Sequence, residues 1–339
     1  MLKWLQPAGR RRLTIGAWLL ILLCLALAEV FWRSAALSRL DGFYQDLWFR
    51  LEPTTAVQRV ALVELDEATL ANHPDDPLVF WTPHFARASA VLRQVGVEVI
   101  GIDFLFSASP EQWLAKIAGR GSPAARAYDQ DFRRQLASGK IVLAGIQSEA
   151  QAMLPAPDYL VALPDFDLRG HIGSADLTTD RDGALRRVAA SAPGASQVAG
   201  EGLRLLSLPT LLAVRASGQD PHARAWQFGT RRLAADGPPW RQAWAGPPGS
   251  VPKVPMQRLL AEGAADDPAI RALAGKVVLI GPAYSGANDL HLTPYGYGFD
   301  ARLMSGMEIH AQTVEALLAG RFIDEAPPLW RRNPVSIEA

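Results

Sequence analysis

Four short stretches of this chain are apolar almost throughout: "VALVELD" (residues 60–66), "VEVIGIDFLF" (97–106), "KIVLAG" (140–145) and "KVVLIG" (276–281). A strand with one wet face alternates apolar and polar residues, whereas a strand covered on both faces reads as a continuous apolar run. Between the runs lie segments with apolar residues three and four apart, the spacing of a helix with one buried face. These are "HFARASAVLRQVG" (84–96), "ARAYDQDFRRQLASG" (125–139), "LPTLLAVRASG" (208–218), residues 256–262 and residues 305–319. The alternation predicts an α/β fold, an open and mostly parallel sheet flanked by helices. Two β-hairpins are expected as insertions, one over 171–192 turning at Asp182-Gly183 and one over 226–246 turning at Asp236-Gly237. The Pro-rich stretch 153–167 reads as a surface loop.

The N-terminus adds a second constraint. Lys3, Arg10, Arg11 and Arg12 precede "LTIGAWLLILLCLALA" (13–28), and Val30, Phe31 and Trp32 extend the run past Glu29. This length suits one transmembrane signal-anchor helix over 13–32, with the basic residues 1–12 in the cytoplasm and the rest outside. Ala26-Leu27-Ala28 is a competing signal-peptidase site, while Leu23 is too large for a lipoprotein signal at Cys24. Either reading exports the chain, which carries no cysteine beyond Cys24. The expected organisation is an extracytoplasmic domain over 33–323, opened by an amphipathic juxtamembrane helix over 38–51 that Pro53 terminates, and a tail over 324–339. Lys plus Arg equals Asp plus Glu at 34 each, and no basic tract lies beyond the first dozen residues, so nucleic acid is not an expected partner.

Asp66, Asp103 and Asp289 each follow a predicted strand. In an open parallel sheet such ends converge on the edge where ligands bind. Three carboxylates there would hold a divalent cation or a cationic ligand; alternatively, each caps the helix or turn that follows it. The loop "GPAYSGAND" (281–289) lacks the endings of a P-loop and of a dinucleotide fingerprint. It would expose Tyr284, Ser285 and Asn288 at the same edge. Ser305 is a candidate N-cap, with Glu308 completing a capping box, and His310 falls in the first turns of that helix, facing either the cleft or the core. On paper His291 and His310 assemble with Asp289 into a triad, but the chain has no Gly-x-Ser-x-Gly elbow and no His-Glu-x-x-His, and its one cysteine lies in the apolar run. No enzymatic activity and no cofactor are expected, and no particular metal is indicated.

Residues 41–323 resemble the type-two CHASE domain, an extracellular sensory module of bacterial adenylate cyclases, histidine kinases and Ser/Thr kinases. The resemblance rests on "DGFYQDLWFRLEP", "VALVELDEATL", "VGVEVIGIDFLFS", "SADLTTDRDGALRRV", "GKVVLIGPAYSGANDLHLTP" and "SGMEIHAQTVEALLAGRFI", in this order. It implies a membrane-anchored periplasmic or extracellular receptor for an unknown small ligand and carries over no catalytic residues. Members commonly have a Trp-Pro-Trp-Pro-Arg-like run after the first strand; "NHPDDPLVFWTP" stands here, keeping only Trp81 and Pro83. Members also continue through further membrane helices into an effector, so a kinase or cyclase is expected either beyond this sequence or as a partner, alongside a second copy of the chain. The rival expectations are a scaffold or assembly partner without a small ligand, to which the 10 Trp residues are suited, and a metal-dependent hydrolase.

Overall fold

A computed structural model describes residues 8–33, 35–118, 123–147, 152–192, 204–297 and 301–323. The expected tail 324–339 and the first seven residues lie outside the described residues. The chain divides into two compact units, 1–52 and 53–339.

The first unit is a pair of helices, Ala8–Arg33 and Ala35–Leu51. The former includes the expected span, for which side chains are described at 16–28 and 30; these stand exposed, Trp18 at 66% and Leu22 at 59%. Among the described residues no helix is long and apolar enough to cross a membrane. The second helix begins three residues earlier than its spacing predicts. Its expected apolar face, by helical spacing, is Leu40, Phe43, Tyr44, Leu47 and Leu51; the Leu40 side chain lies outside the described ones, and the other four are exposed, as is Trp48.

The second unit is built on one seven-stranded sheet. Its strands are β1 (Val60–Leu65), β2 (Val99–Ile102), β3 (Ile141–Gln147), β4 (Ala152–Met153), β5 (Ile172–Ser174), β6 (Lys253–Pro255) and β7 (Val277–Pro282). The spatial order is β6-β1-β7-β2-β3, with β5 also on β3, and every pairing along it is parallel. Only β4 runs antiparallel, against the end of β3. The unbroken apolar runs are explained by two cores. Ala61, Val63, Ile100, Ile102, Ile141, Leu143, Val278 and Ile280 face one side, against Phe85 and Leu92 of helix α1 (Thr82–Gln94), Phe132, Tyr159 and Leu259. Their alternate neighbours Val60, Leu62, Val99, Val142, Ala144, Val277 and Leu279 face the other, against helices α2 (Leu208–Ala216) and α3 (Gly306–Leu318). Close approach is enforced at Gly173, where a Cβ would lie 2.6 Å from the Leu208 backbone, so α2 starts directly over β5.

Three expectations need correction. Asp182-Gly183 does make a turn, with Gly183 at φ +82° and the Asp180 N–H donating to Ala184 O at 2.8 Å. Its flanks, however, do not form a hairpin. Residues 172–174 join the main sheet beside β3, and Arg187–Val188 pairs with Trp240–Arg241. The second hairpin exists over Ala225–Phe228 and Arg231–Ala234, but it turns at Gly229 (φ +58°) rather than at Asp236-Gly237. Finally, 153–167 is no surface loop. It contains β4's Met153 and the short helix Pro157–Leu160, and Tyr159 is fully buried. The Tyr159 hydroxyl donates at 3.2 Å to Asp129, a buried carboxylate that also accepts from Thr82 Oγ1 at 2.5 Å. Asp129 interrupts the predicted helix 125–139, which forms as Pro123–Tyr128 and Gln130–Leu136.

Candidate functional site

The carboxyl ends of the parallel strands open on a cleft of about 430 Å³. Asp103, Phe104 and Leu105 enter it after β2, Ile146 from β3, and Ala175, Asp176 and Leu177 after β5; Pro282, Asp289, His291, Gly306 and His310 complete it. Its position follows from the topology, because β2 lies between β7 and β3 and the chain departs from all three at one edge.

Of the expected site residues, Asp103, Asp289 and His310 meet in this cleft, and Asp66, Tyr284, Ser285 and Asn288 do not line it. Asp66 takes the capping role: its carboxylate accepts from the Thr69 N–H at 2.8 Å and the Thr69 hydroxyl at 2.6 Å, closing the helix Glu67–Ala71. Tyr284 packs partly buried against the core. Ser285 donates through its N–H and hydroxyl to Glu67, at 2.5 and 2.6 Å, and Asn288 supplies a left-handed turn at φ 51°. The loop thus closes on helix Glu67–Ala71 instead of presenting its polar side chains to the cleft. Nor do the three aspartates gather as metal ligands. The one group of three metal-ligating side chains among the described residues lies elsewhere.

Asp289 is the pivot of the cleft. Its Oδ1 is 2.8 Å from His291 Nε2, and its Oδ2 accepts from the Gly306 N–H at 3.1 Å. Gly306 is required here, since a Cβ would sit 2.6 Å from Asp289 Oδ2. The His291 hydrogen bond leads in holding the Asp289 carboxyl below its usual range, against the opposing effect of burial. Asp103 behaves oppositely: desolvation first, and the nearby Asp289 charge second, push it up to about 7, with His291 pulling the other way.

His310 is 2% exposed. Burial drives its pKa down to about 4, although Asp289 and a hydrogen bond with the Ala175 backbone work in the other direction. The ring is therefore a neutral imidazole at physiological pH, and its Nδ1 has no hydrogen-bond partner. A buried polar atom left unpaired is costly. Its neighbour on α3, Glu308, corrects half of the capping-box expectation. Ser305 Oγ does accept from the Glu308 N–H at 3.3 Å, but the Glu308 carboxylate turns away to accept from the N–H groups of Gly249 (2.8 Å) and Ser250 (3.1 Å).

Asp176 lines the cleft and was not among the expected residues. It accepts from the Gln147 N–H at 2.7 Å and the Ser174 hydroxyl at 2.6 Å. Its signal was the polar residue just past "HIGS", hidden because that segment read as one arm of a hairpin.

An open parallel sheet with a ligand-sized cleft outside its strand ends is the general plan of an α/β binding domain. The model of the CHASE2 domain matches residues 19–337, nearly the whole sequence, and the chain belongs to this family of extracellular sensory domains. No curated protein and no solved structure matches the chain.

Proposed function

We propose that residues 53–323 form a periplasmic ligand-sensing domain whose ligand occupies the cleft of Asp103, Asp289, His291 and His310. The observation that carries this reading is the His310 Nδ1, buried and unpartnered beside two carboxyl groups. The neutral imidazole leaves that nitrogen open to a polar group of a ligand, and the ionised Asp289 carboxylate lines the same cleft as an acceptor. It suits a small ligand that brings donors, an amine or a polyhydroxyl compound, with Phe104, Leu105, Ile146 and Leu177 against its apolar part. A binding rather than catalytic role is supported by the cleft lining, which has no Ser, Thr or Cys side chain beside the Asp289–His291 pair.

The N-terminal helix anchors the domain in the inner membrane. Support comes from the exposed run of Trp18, Leu19, Leu20, Ile21, Leu22 and Leu23 behind Arg10, Arg11 and Arg12. The signal leaves through the helix Ala35–Leu51, which follows the N-terminal helix and directly precedes the second unit in the chain, toward an effector kinase or cyclase. A ligand drives such a change only by its differential affinity for two arrangements. The exposed Phe43, Tyr44, Trp48 and Leu51 on that helix favour a second reading, an assembly partner without a small ligand.

Thermal unfolding of the full chain against a panel of amines, amino acids and sugars separates the two. A binder should lose its effect in Asp289→Asn and in His310→Phe. A cationic binder should also bind about tenfold more tightly at pH 8 than at pH 6, because the ionised fraction of Asp103 rises by that factor around its pKa. A stabilising ligand indifferent to all three cleft residues overturns the site. No binder, together with a co-purifying membrane protein, supports the assembly reading.

A further inference from the structure

His73, Asp76 and His84 lie in the segment that follows β1 and in the first turn of α1, and none of them lines the cleft. All three fall in or beside the stretch where the sequence departs from the Trp-Pro-rich run of its family. Asp76 Oδ2 is 2.9 Å from His84 Nε2 and 3.7 Å from His73 Nδ1, and one ligand atom from each residue falls within 4.8 Å of the others. Bonds of 2.0–2.2 Å to a tetrahedral ion place neighbouring ligand atoms roughly 3.3 Å apart, between the two measured separations.

The surroundings fix these side chains. His73 Nε2 lies 3.2 Å from Gln257 Oε1; in the neutral tautomer with the proton on Nε2, that contact is a hydrogen bond and Nδ1 is left as the ligand atom facing the Asp76 carboxylate. An outer N–H held by a carbonyl oxygen is also how metal-binding imidazoles are normally oriented. Trp81, fully buried, donates its indole N–H to the Asp76 carbonyl at 2.6 Å and packs edge-on against His73 at 5.5 Å. His84 is held in the first turn of α1, where the Asp76 charge offsets the positive helix end. The Asp76 side chain is 45% exposed, which leaves an open path and a free coordination position.

We propose that His73, Asp76 and His84 bind a first-row divalent transition ion of zinc-like preference, with Gln257 as the positioning residue for His73. Two imidazoles and one carboxylate favour such an ion over calcium or magnesium, which take oxygen ligands.

The test is titration of the purified full chain with zinc chloride, and separately with cobalt(II) chloride followed by visible absorption. One equivalent is expected to bind, with cobalt bands of a four- or five-coordinate nitrogen–oxygen site. His73→Gln and His84→Gln should each weaken zinc by at least about 100-fold and Gln257→Leu by about 10-fold, while His222→Gln, at an exposed histidine outside both sites, leaves zinc binding unchanged. Far-UV circular dichroism checks that each variant is folded. If a ligand variant does not fold, the cobalt spectrum of the unaltered chain decides. Absence of saturable binding, a six-coordinate cobalt spectrum, or binding retained by folded His73→Gln and His84→Gln overturns the site.

Discussion

Replacing Asp103 by Asn removes an ionisable group from the cleft floor while keeping its size and neutral polarity. The native carboxyl titrates at about 7 against an ordinary 3.8. Between those values the folded chain holds a proton that the unfolded chain has released, so stability falls as pH rises from about 4 and the loss is complete above about 7. The full gap corresponds to about 4 kcal/mol, which water in the cleft reduces to about 2 kcal/mol. Asp103→Asn should therefore unfold about 2 kcal/mol later than the unaltered chain at pH 8, with the gain shrinking toward zero by pH 4. His310 acts in the opposite sense. Its native value near 4 lies below the ordinary 6.5, so its contribution is lost as pH falls between them. The unaltered chain consequently has a shallow pH profile over this range, and the substitution should uncover the slope of His310. Urea unfolding followed by Trp fluorescence at pH 4, 6 and 8 measures both. An Asp103→Asn chain no more stable than the parent at pH 8, or equally stabilised at pH 4, would refute the assignment of a raised carboxyl.

Three further outcomes follow from the same geometry. His310→Phe should abolish the loss of stability between pH 6.5 and 4, read in the same unfolding series on the Asp103→Asn background. Gly306→Ala puts a Cβ within 2.7 Å of both Asp289 oxygens, so it should cost about 1–3 kcal/mol and weaken whatever the cleft binds, as seen by thermal shift. Asp66→Ala should cost about 1 kcal/mol through the lost cap and leave cleft binding unchanged; a loss of binding would return Asp66 to the site.

The buried sheet was legible because burial on both faces leaves a pattern that needs no partner to be read: Val60 to Leu65, apart from Glu64, and Val277 to Pro282 are apolar whichever strands they pair with. The edge strand Lys253–Pro255 left no such pattern. It is short and only Val254 is buried, so its membership depends on β1 beside it. The same holds for Ile172–Ser174, whose Asp-Gly turn nearby suggested a local partner when the actual partner is β3. Tyr159 was missed because Pro-rich composition signals a turn but says nothing about what the turn covers.

The sequence by itself determined the alternation of strands and helices, the family, and the placement of Asp66, Asp103 and Asp289 after strands, since these depend on local order along the chain. Only the tertiary structure decided which of those carboxylates cap and which face open space, because a cap and a ligand-binding group are the same residue type in the same position. It also decided that Asp176, His291 and His310 share a cleft with Asp103, and that His73, Asp76 and His84 converge. Those juxtapositions arise from strand order and helix packing, and no spacing along the chain encodes a distance between side chains brought together by the fold.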